Sequence, residues 1–242
     1  MPQYIYGRNS VLQRIKASKE IDVLYVDYEV LKKDSILKEK KEELNIKVKE
    51  RGFLDSLVKN KPHQGYVAKI KDYKYYNVEE VLEVIKEKEN QTILLLDNIS
   101  DPHNFGAILR SCEASGVDLV ICGKNSSAPL NATVSKTSAG AIENVKVASV
   151  NNLLKTLLDL KEKGFEVFSG EYRSESVDYR AVNFPKKSIL IMGSEGKGIS
   201  RMLIKNSDKL IKIPMVGKIN SLNVSVACAI ILYKIFDDNN PL

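Results

Sequence analysis

The chain has 242 residues, of which 43% are apolar and 28% are charged, a composition typical of a globular protein with a substantial core. Its three cysteines are odd in number, far apart in sequence and form no CxxC pair, which argues against a disulfide framework and against a zinc site. The formal charge of +6 lies in the first third: residues 1–75 hold 17 Lys and Arg against 11 Asp and Glu, whereas residues 76–242 hold 20 of each. Positive charge clustered in this way is typical of proteins that bind the phosphate backbone of a nucleic acid, although a lysine-rich solvated surface has the same composition.

The first 71 residues alternate helical and strand patterns. An amphipathic stretch over residues 9–17 precedes the apolar run IDVLYVD, and a charged helical stretch over residues 30–44 precedes IKVKERG, FLDSLVKN and GYVAKI. This pattern predicts a small α/β domain over residues 1–71. Residues 72–77 are polar and tyrosine-rich, which predicts a linker. Asn77 with Glu80 three residues later predicts the start of a helix and of a second domain over residues 78–242.

From residue 92 onward, apolar strands alternate with helical stretches. The predicted strands are TILLLD, DLVICG, GFEVFSG, SILIMG and LIKIPM, and continuous apolar strands separated by helices indicate a parallel sheet covered on both faces. The apolar run over residues 224–236 is too short to span a bilayer, and the N-terminus lacks an apolar signal core. We therefore expect a buried final helix and a cytoplasmic protein that binds no membrane.

Ligands of open parallel sheets bind beyond the carboxyl ends of the strands, so the polar loops there are the candidate site. Three loops stand out, over residues 97–106, 193–198 and 214–223. The glycines of the second loop are spaced GxxGxG rather than GxGxxG, and Ile199 stands where a phosphate-binding P-loop needs lysine. With only two histidines in the chain, a histidine-based metal or acid–base site is not indicated. What remains is a set of Asn, Arg, Glu and Ser side chains.

Three motifs in order make the chain similar to the SpoU/TrmH family of the SPOUT superfamily. The first is D-x-x-x-D-P-x-N-x-G-x-I-x-R, formed by Asp97, Asp101, Pro102, Asn104, Gly106, Ile108 and Arg110. The second is M-G-x-E-x-x-G, formed by Met192, Gly193, Glu195 and Gly198, and the third is I-P-M-x-G-x-x-x-S-L-N-V-S over residues 213–225. The resemblance implies transfer of a methyl group from S-adenosylmethionine to a ribose 2′-oxygen in RNA.

Residues 1–71, especially YGRNSVL and HQGYVA, resemble the substrate-binding domain of the RlmB-like branch, which looks like a ribosomal protein of the L30e type. For that branch the resemblance implies a guanosine of 23S ribosomal RNA as substrate. It also implies a catalytic domain with a C-terminal trefoil knot, and a homodimer whose active site borrows residues across the interface. DNA is not an expected partner.

The resemblance assigns catalytic roles to Asn104, Arg110, Glu195, Ser221 and Asn223, and cofactor contacts to Gly193, Ile213 and Leu222. A guanidinium stays protonated in nearly every protein environment, so we expect Arg110 to hold phosphate or ribose and to assist deprotonation, while the resemblance suggests it as the base. Glu195 is expected to orient Arg110 or Asn104. From the local sequence alone, Asn104 could equally be an ordinary turn residue. Ser221 and Asn223 could equally be cap residues of the last helix. No metal is expected.

Three other functions remain open from the sequence. The substrate could be a transfer-RNA ribose, or an adenosine of ribosomal RNA as for resistance methyltransferases. A non-catalytic RNA-binding factor of ribosome assembly is the alternative from another class. The retained polar side chains of all three motifs favour an enzyme.

Overall fold

The computed structural model of the chain describes residues 3–194, 196–218 and 221–240. The chain forms two compact units, each with its own sheet. The first comprises Met1–Lys74 and Pro129–Asn144, and the second comprises Tyr75–Ala128 and Val145–Leu242. The domain limits expected from the sequence stay a prediction. Residues 129–144 group with the first unit through tertiary contacts, which a linear pattern does not indicate.

The strands and helices follow one another along the chain as expected for an α/β protein. The strands are β1 (Gln3–Tyr6), β2 (Val23–Val26), β3 (Ile46–Val48), β4 (Tyr66–Ile70), β5 (Gln91–Asp97), β6 (Leu119–Gly123), β7 (Val147–Val150), β8 (Glu166–Gly170), β9 (Val177–Asp178), β10 (Lys187–Gly193) and β11 (Lys209–Lys212). The α-helices are α1 (Arg8–Lys16), α2 (Tyr28–Lys33), α3 (Ser35–Glu39), α4 (Arg51–Val58), α5 (Val78–Ile85), α6 (Pro102–Ala114), α7 (Ala132–Thr137), α8 (Leu153–Glu162), α9 (Arg201–Lys205) and α10 (Val224–Asn239). Short 3-10 helices lie at Ala141–Glu143 and Tyr179–Ala181.

The first unit contains a four-stranded mixed sheet in the order β1-β4-β2-β3. Strand β4 is antiparallel to β1 and β2, and β3 is parallel to β2. The charged stretch that predicts one helix over residues 30–44 forms two, because Asp34 takes an extended conformation there. Its carboxylate accepts a hydrogen bond from the Leu37 N–H at 3.2 Å, so the residue that ends α2 also caps α3.

A buried ion pair holds residues 129–144 within the first unit. The guanidinium of Arg14 donates to both carboxylate oxygens of Glu143, at 3.3 and 3.0 Å, and the Tyr73 hydroxyl donates to the same carboxylate at 2.8 Å. The side chains of Arg14 and Glu143 are only 9% and 2% exposed. Burial raises the pKa of Glu143, and the neighbouring guanidinium opposes that rise.

The second unit contains a seven-stranded sheet in the order β7-β6-β5-β10-β8-β11-β9, and every pairing is parallel. The parallel sheet expected from the apolar strands is therefore confirmed. Along β5, Ile93 and Leu95 belong to the core that includes residues of α5, α8 and α9, while Leu94 and Leu96 are buried on the opposite face. Helices α6 and α10 pack against each other, and α10 also packs against β10 and β8.

Two further features bear on the sequence-based expectations. The three cysteines, Cys112, Cys122 and Cys228, are free and buried, and burial raises the thiol pKa of each, that of Cys122 to about 11. Among the described residues, no helix has both the length and the apolar character needed to cross a bilayer. The trefoil knot stays a prediction.

Candidate active site

The loops that carry the three motifs meet at the carboxyl edge of the parallel sheet. Strands β5 and β10 are adjacent and in register, so that Asp97 and Gly193 pair at their ends. The loop after β10 is tied back to β5, because the Ser194 N–H donates to the Asp97 carbonyl at 3.1 Å. The order of the strands thus brings together loops that are about a hundred residues apart in sequence.

A first cavity of ≈ 370 Å³ lies at this edge, between the ends of β8, β10 and β11 and the start of α10. Gly193, Ile213 and Leu222, the three cofactor contacts predicted from the sequence, all line it, and so does Ser221. Its other walls include the apolar side chains of Met192 and Ile231 and the charged side chains of Glu171, Lys197 and Lys212. Apolar walls with a few polar groups are typical of cofactor sites, and this volume lies in their usual range.

Glycines make the floor of the first cavity. A Cβ atom on Gly193 would lie 2.2 Å from the carbonyl carbon of Gly198, so only glycine allows the loop after β10 to fold back on the strand end. Gly198 has a φ of +64°, and its N–H donates to the Ser194 carbonyl at 2.8 Å. By contrast, a Cβ atom on Gly196 would have no neighbour within 4 Å. Two of the three glycines in this loop are therefore required by its geometry.

Glu171, directly after β8, lines the first cavity and is not among the site residues predicted from the sequence. Its side chain is 22% exposed, and its carboxylate accepts a hydrogen bond from the Ile199 N–H at 3.3 Å. The guanidinium of Arg173 lies 3.9 Å from the other carboxylate oxygen. The sequence does carry a signal for it, since the polar segment EYRSES directly follows the predicted strand GFEVFSG.

A second cavity of ≈ 470 Å³ adjoins the first and is lined by the loop after β5 and by Asn104 on α6. The two cavities share part of their walls. The shared residues are Ser194, Gly196, Lys197 and Val224. Because both cavities border the same residues, a molecule bound in one would lie next to a molecule bound in the other, which is the arrangement that direct transfer between two bound molecules requires.

Asn104 and Asn223 are in direct contact at the second cavity. The Asn223 side-chain oxygen accepts from the backbone N–H of Ser225 at 3.0 Å and from its hydroxyl at 2.6 Å. Because a backbone N–H can only donate, the amide of Asn223 must point its NH2 group at Asn104, whose oxygen accepts at 2.9 Å. This contact orients the Asn104 amide, so that its NH2 group can donate a hydrogen bond to another molecule. Asn223 is therefore both the N-cap of α10 and the residue that orients the Asn104 amide.

Arg110 and Glu195 complete the predicted catalytic set. Arg110 is exposed on α6 and lines neither cavity of the single chain. It follows Asn104 by six residues, which rotates it about 120° around the helix axis from Asn104. Glu195 lies outside the described residues. Ser221 therefore lines the first cavity and Asn104 the second, while Asn223 lies in contact with Asn104 and Arg110 lines neither cavity.

The two aspartates of the first motif have structural contacts. Asp97 is buried, and its carboxylate accepts from the Ser200 N–H at 2.7 Å and from the Asn98 amide at 2.7 Å. Asp101 caps α6 by accepting from the His103 N–H at 2.9 Å. Within the described parts of the chain, no group of three or more His, Cys, Asp or Glu side chains could hold a metal ion.

Models of two protein families match consecutive parts of the chain. The family model for the SpoU rRNA Methylase family matches residues 91–233, and the model for the RNA 2′-O ribose methyltransferase substrate-binding domain matches residues 4–76. A TrmH family tRNA/rRNA methyltransferase of Staphylococcus aureus is 41% identical over 96% of this chain and 94% of its own length.

Two solved structures show the same fold. An S-adenosylmethionine-bound rRNA methyltransferase from Sinorhizobium meliloti has a TM-score of 0.79 and 21% identity, and the match covers 97% of this chain and 86% of that one. A TrmH/SpoU tRNA-modifying enzyme from Aquifex aeolicus has a TM-score of 0.57 and 34% identity, and covers 66% of this chain and 81% of its own.

The parallel sheet and the family matches define an α/β methyltransferase. The chain belongs to the SpoU rRNA Methylase family and is an RNA methyltransferase whose methyl donor is S-adenosylmethionine. The first cavity fits that donor. Its apolar wall suits the adenine ring, and its carboxylate and lysines suit a molecule that carries charges of both signs.

Proposed function

We propose that this enzyme transfers a methyl group from S-adenosylmethionine to the ribose 2′-oxygen of a guanosine in structured RNA, most specifically 23S ribosomal RNA. The observation that carries this proposal is that the two cavities adjoin and share lining residues. Methyl transfer is a displacement at carbon, in which the ribose oxygen forms the new C–O bond as the C–S bond breaks and the hydroxyl proton is lost. The two reactants must therefore be held in line and adjacent.

The first cavity is the donor site of this proposal. Gly193, Ile213 and Leu222 would contact S-adenosylmethionine, which supplies an activated methyl group when bound. Lys212 lies with its ammonium 5.5 Å from the centre of the Tyr172 ring, which holds a positive charge at the cavity. Glu171 supplies a negative charge at the same cavity and fixes the loop after β10 through the Ile199 N–H.

The second cavity is the ribose site. Asn104, oriented by Asn223, would donate a hydrogen bond to a ribose or phosphate oxygen rather than accept a proton. Ser221 lines the donor cavity, where its hydroxyl would contact the methyl donor. In this proposal Glu195 orients Arg110 or Asn104. Arg110 holds phosphate or ribose and assists deprotonation of the hydroxyl.

The exposed position of Arg110 supports a homodimeric enzyme. Helix α10 exposes an apolar stripe of Val226, Tyr233 and Phe236, whose side chains are 48%, 46% and 40% exposed, and these positions share one helix face. A second copy of the chain covering this stripe would bury it. In that dimer, Arg110 would act in the partner's site or in a site completed by the partner.

One observation favours ribosomal RNA as the substrate, and another favours the cytoplasm as the location of the protein. The rRNA methyltransferase from Sinorhizobium meliloti matches both units of the chain, whereas the tRNA-modifying enzyme from Aquifex aeolicus matches 66% of it. The N-terminal unit would bind the RNA, and residues 1–71 would form the L30e-like domain before a catalytic domain over residues 78–242. Three free thiols fit a reducing compartment.

The proposal is tested by incubating the protein with methyl-labelled S-adenosylmethionine and unmodified total RNA, and mapping the label to a nucleotide. We expect ribose methylation of one guanosine in 23S ribosomal RNA. Label confined to transfer RNA, or on an adenosine, would contradict the proposed substrate, and cofactor binding without any transfer would contradict catalysis. Arg110→Lys tests the arginine, since full activity in that variant would refute both of its assigned roles.

A further inference from the structure

Two lysines in the first unit lie against one aromatic ring. The ammonium nitrogens of Lys61 and Lys136 are 5.7 and 6.0 Å from the centre of the Tyr6 ring. Lys136 belongs to α7, in the segment that joins the first unit through tertiary contacts. Arg8, at the start of α1, is next but one to Tyr6, and its side chain is 57% exposed. We call Arg8, Lys61 and Lys136 the basic cluster.

Carboxylates do not neutralise the two lysines of the basic cluster. Neither ammonium group forms an ion pair with any carboxylate of the described chain, whereas Lys40 and Lys71 of the same unit pair with Glu43 and Glu20. Burial alone lowers the pKa of Lys136, so no neighbouring carboxylate offsets the cost of its charge. A partly desolvated ammonium group without a carboxylate partner gains stability when an anion pairs with it.

Two carboxylates of the first unit, Asp34 and Asp55, are already engaged. Asp34 accepts from the Tyr66 hydroxyl at 2.7 Å and lies 3.6 Å from the Arg8 guanidinium, and its side chain is 4% exposed. Asp55 lies 3.0 Å from the ring of the buried His63. Arg8 is thus held by a buried carboxylate while most of its guanidinium remains at the surface.

Backbone and amide contacts fix the position of Lys136. The Gln64 side-chain oxygen accepts from the Lys136 ammonium and from the Arg8 N–H, both at 3.2 Å. A Cβ atom on Gly7 would lie 2.3 Å from the Lys136 nitrogen, so the bare backbone of Gly7, with its φ of +93°, makes room for the ammonium group. The local sequence therefore places this lysine at a defined point on the surface.

We propose that the basic cluster is a contact surface for the RNA phosphate backbone, completed by Lys136 from outside the N-terminal sequence segment. This inference rests on the proposed function. The Tyr6 side chain is only 6% exposed, so its ring supports the lysines and is not available to stack on a base. The cluster consequently recognises phosphate rather than base sequence, and sets where the RNA lies on the unit.

The family match to the RNA substrate-binding domain ends at residue 76, so it does not include Lys136. By chain order this lysine belongs to the region matched by the methylase model, residues 91–233. The surface inferred here therefore combines residues that sequence comparison divides between substrate binding and catalysis.

The test is the salt dependence of RNA binding by the full chain. Binding of an unmodified 23S ribosomal RNA transcript is measured by filter retention between roughly 0.05 and 0.2 M salt, without turnover. We expect Lys61→Gln/Lys136→Gln to bind about tenfold more weakly near 0.1 M salt and to lower the slope of log K against log salt by about 1.4 to 1.8, because two phosphate contacts are lost. Affinity for S-adenosylmethionine, measured by calorimetry, should not change.

Lys40→Gln/Lys71→Gln is the matched control, because it removes the same charge from the same unit at lysines already paired with carboxylates. Equal losses in the two double variants would overturn the inference, since long-range charge alone would then explain them. Lys61→Arg/Lys136→Arg should retain the wild-type slope, which separates loss of charge from loss of fold. Wild-type protein that binds no RNA would refute the proposed function, whereas unaltered binding by the glutamine variant would refute only this surface.

Discussion

Replacing Arg14 by methionine tests the buried ion pair that holds residues 129–144 in the first unit. At a separation of 3.0 Å the two charges attract by about 5 kcal/mol for an effective dielectric constant of ~20, before desolvation is subtracted. Removing one partner leaves Glu143 buried without its cation, and such changes cost about 3 to 5 kcal/mol. We expect Arg14→Met to lower the free energy of unfolding by an amount in this range, measured by urea denaturation with circular dichroism.

The same variant should make stability depend on pH in a defined direction. Burial already raises the pKa of Glu143 above 4.5, and removing Arg14 raises it further. A folded-state pKa above the unfolded value contributes stability that is present below the unfolded pKa and is lost as the pH rises through the folded pKa. Arg14→Met should therefore lose more stability at about pH 8 than at about pH 5. Arg14→Met/Glu143→Gln should lose this difference, because the buried carboxyl is gone.

Arg180→Met is the matched control. Arg180 pairs with Asp178 as Arg14 pairs with Glu143, but its side chain is 65% exposed, and exposed pairs contribute at most about 1 kcal/mol. A loss below about 1 kcal/mol for Arg14→Met, or an equal loss at both pH values, would refute the reasoning. It would mean that residues 129–144 are held mainly by apolar packing.

Three further results are expected. Asn223→Asp should keep the cap of α10 but lose most methyl transfer, since a carboxylate cannot donate to Asn104, whereas Asn223→Ala should also lose about 1 kcal/mol of stability; full turnover in Asn223→Asp would contradict this. Gly193→Ala should abolish S-adenosylmethionine binding by calorimetry while Gly196→Ala binds normally, and equal affinities would argue against the glycine floor. Tyr233→Glu should yield a monomer in analytical ultracentrifugation, and an unchanged dimer would exclude α10 as the interface.

The sequence predicted the parallel sheet because its central strands are continuous apolar runs, buried on both faces. It also predicted the helix start at Asn77, whose side chain accepts from the Glu79 and Glu80 N–H groups. Strands β1 and β7, of four residues each, escaped prediction because short segments carry little periodicity. The single helix predicted over residues 30–44 was wrong at Asp34, where side-chain capping of α3 interrupts the helical pattern.

The loops that line the two cavities could be predicted from the sequence, since polar residues after buried strands must lie at one edge of a parallel sheet. Which of their side chains meet depends on the tertiary structure. It pairs Asn104 with Asn223 across 119 residues, adds Glu171 from the end of β8, and leaves Arg110 outside both cavities. It also assigns Lys136 to the first unit. Linear patterns record the burial and spacing of each segment, whereas contacts between distant segments depend on strand order and packing, which no single segment encodes.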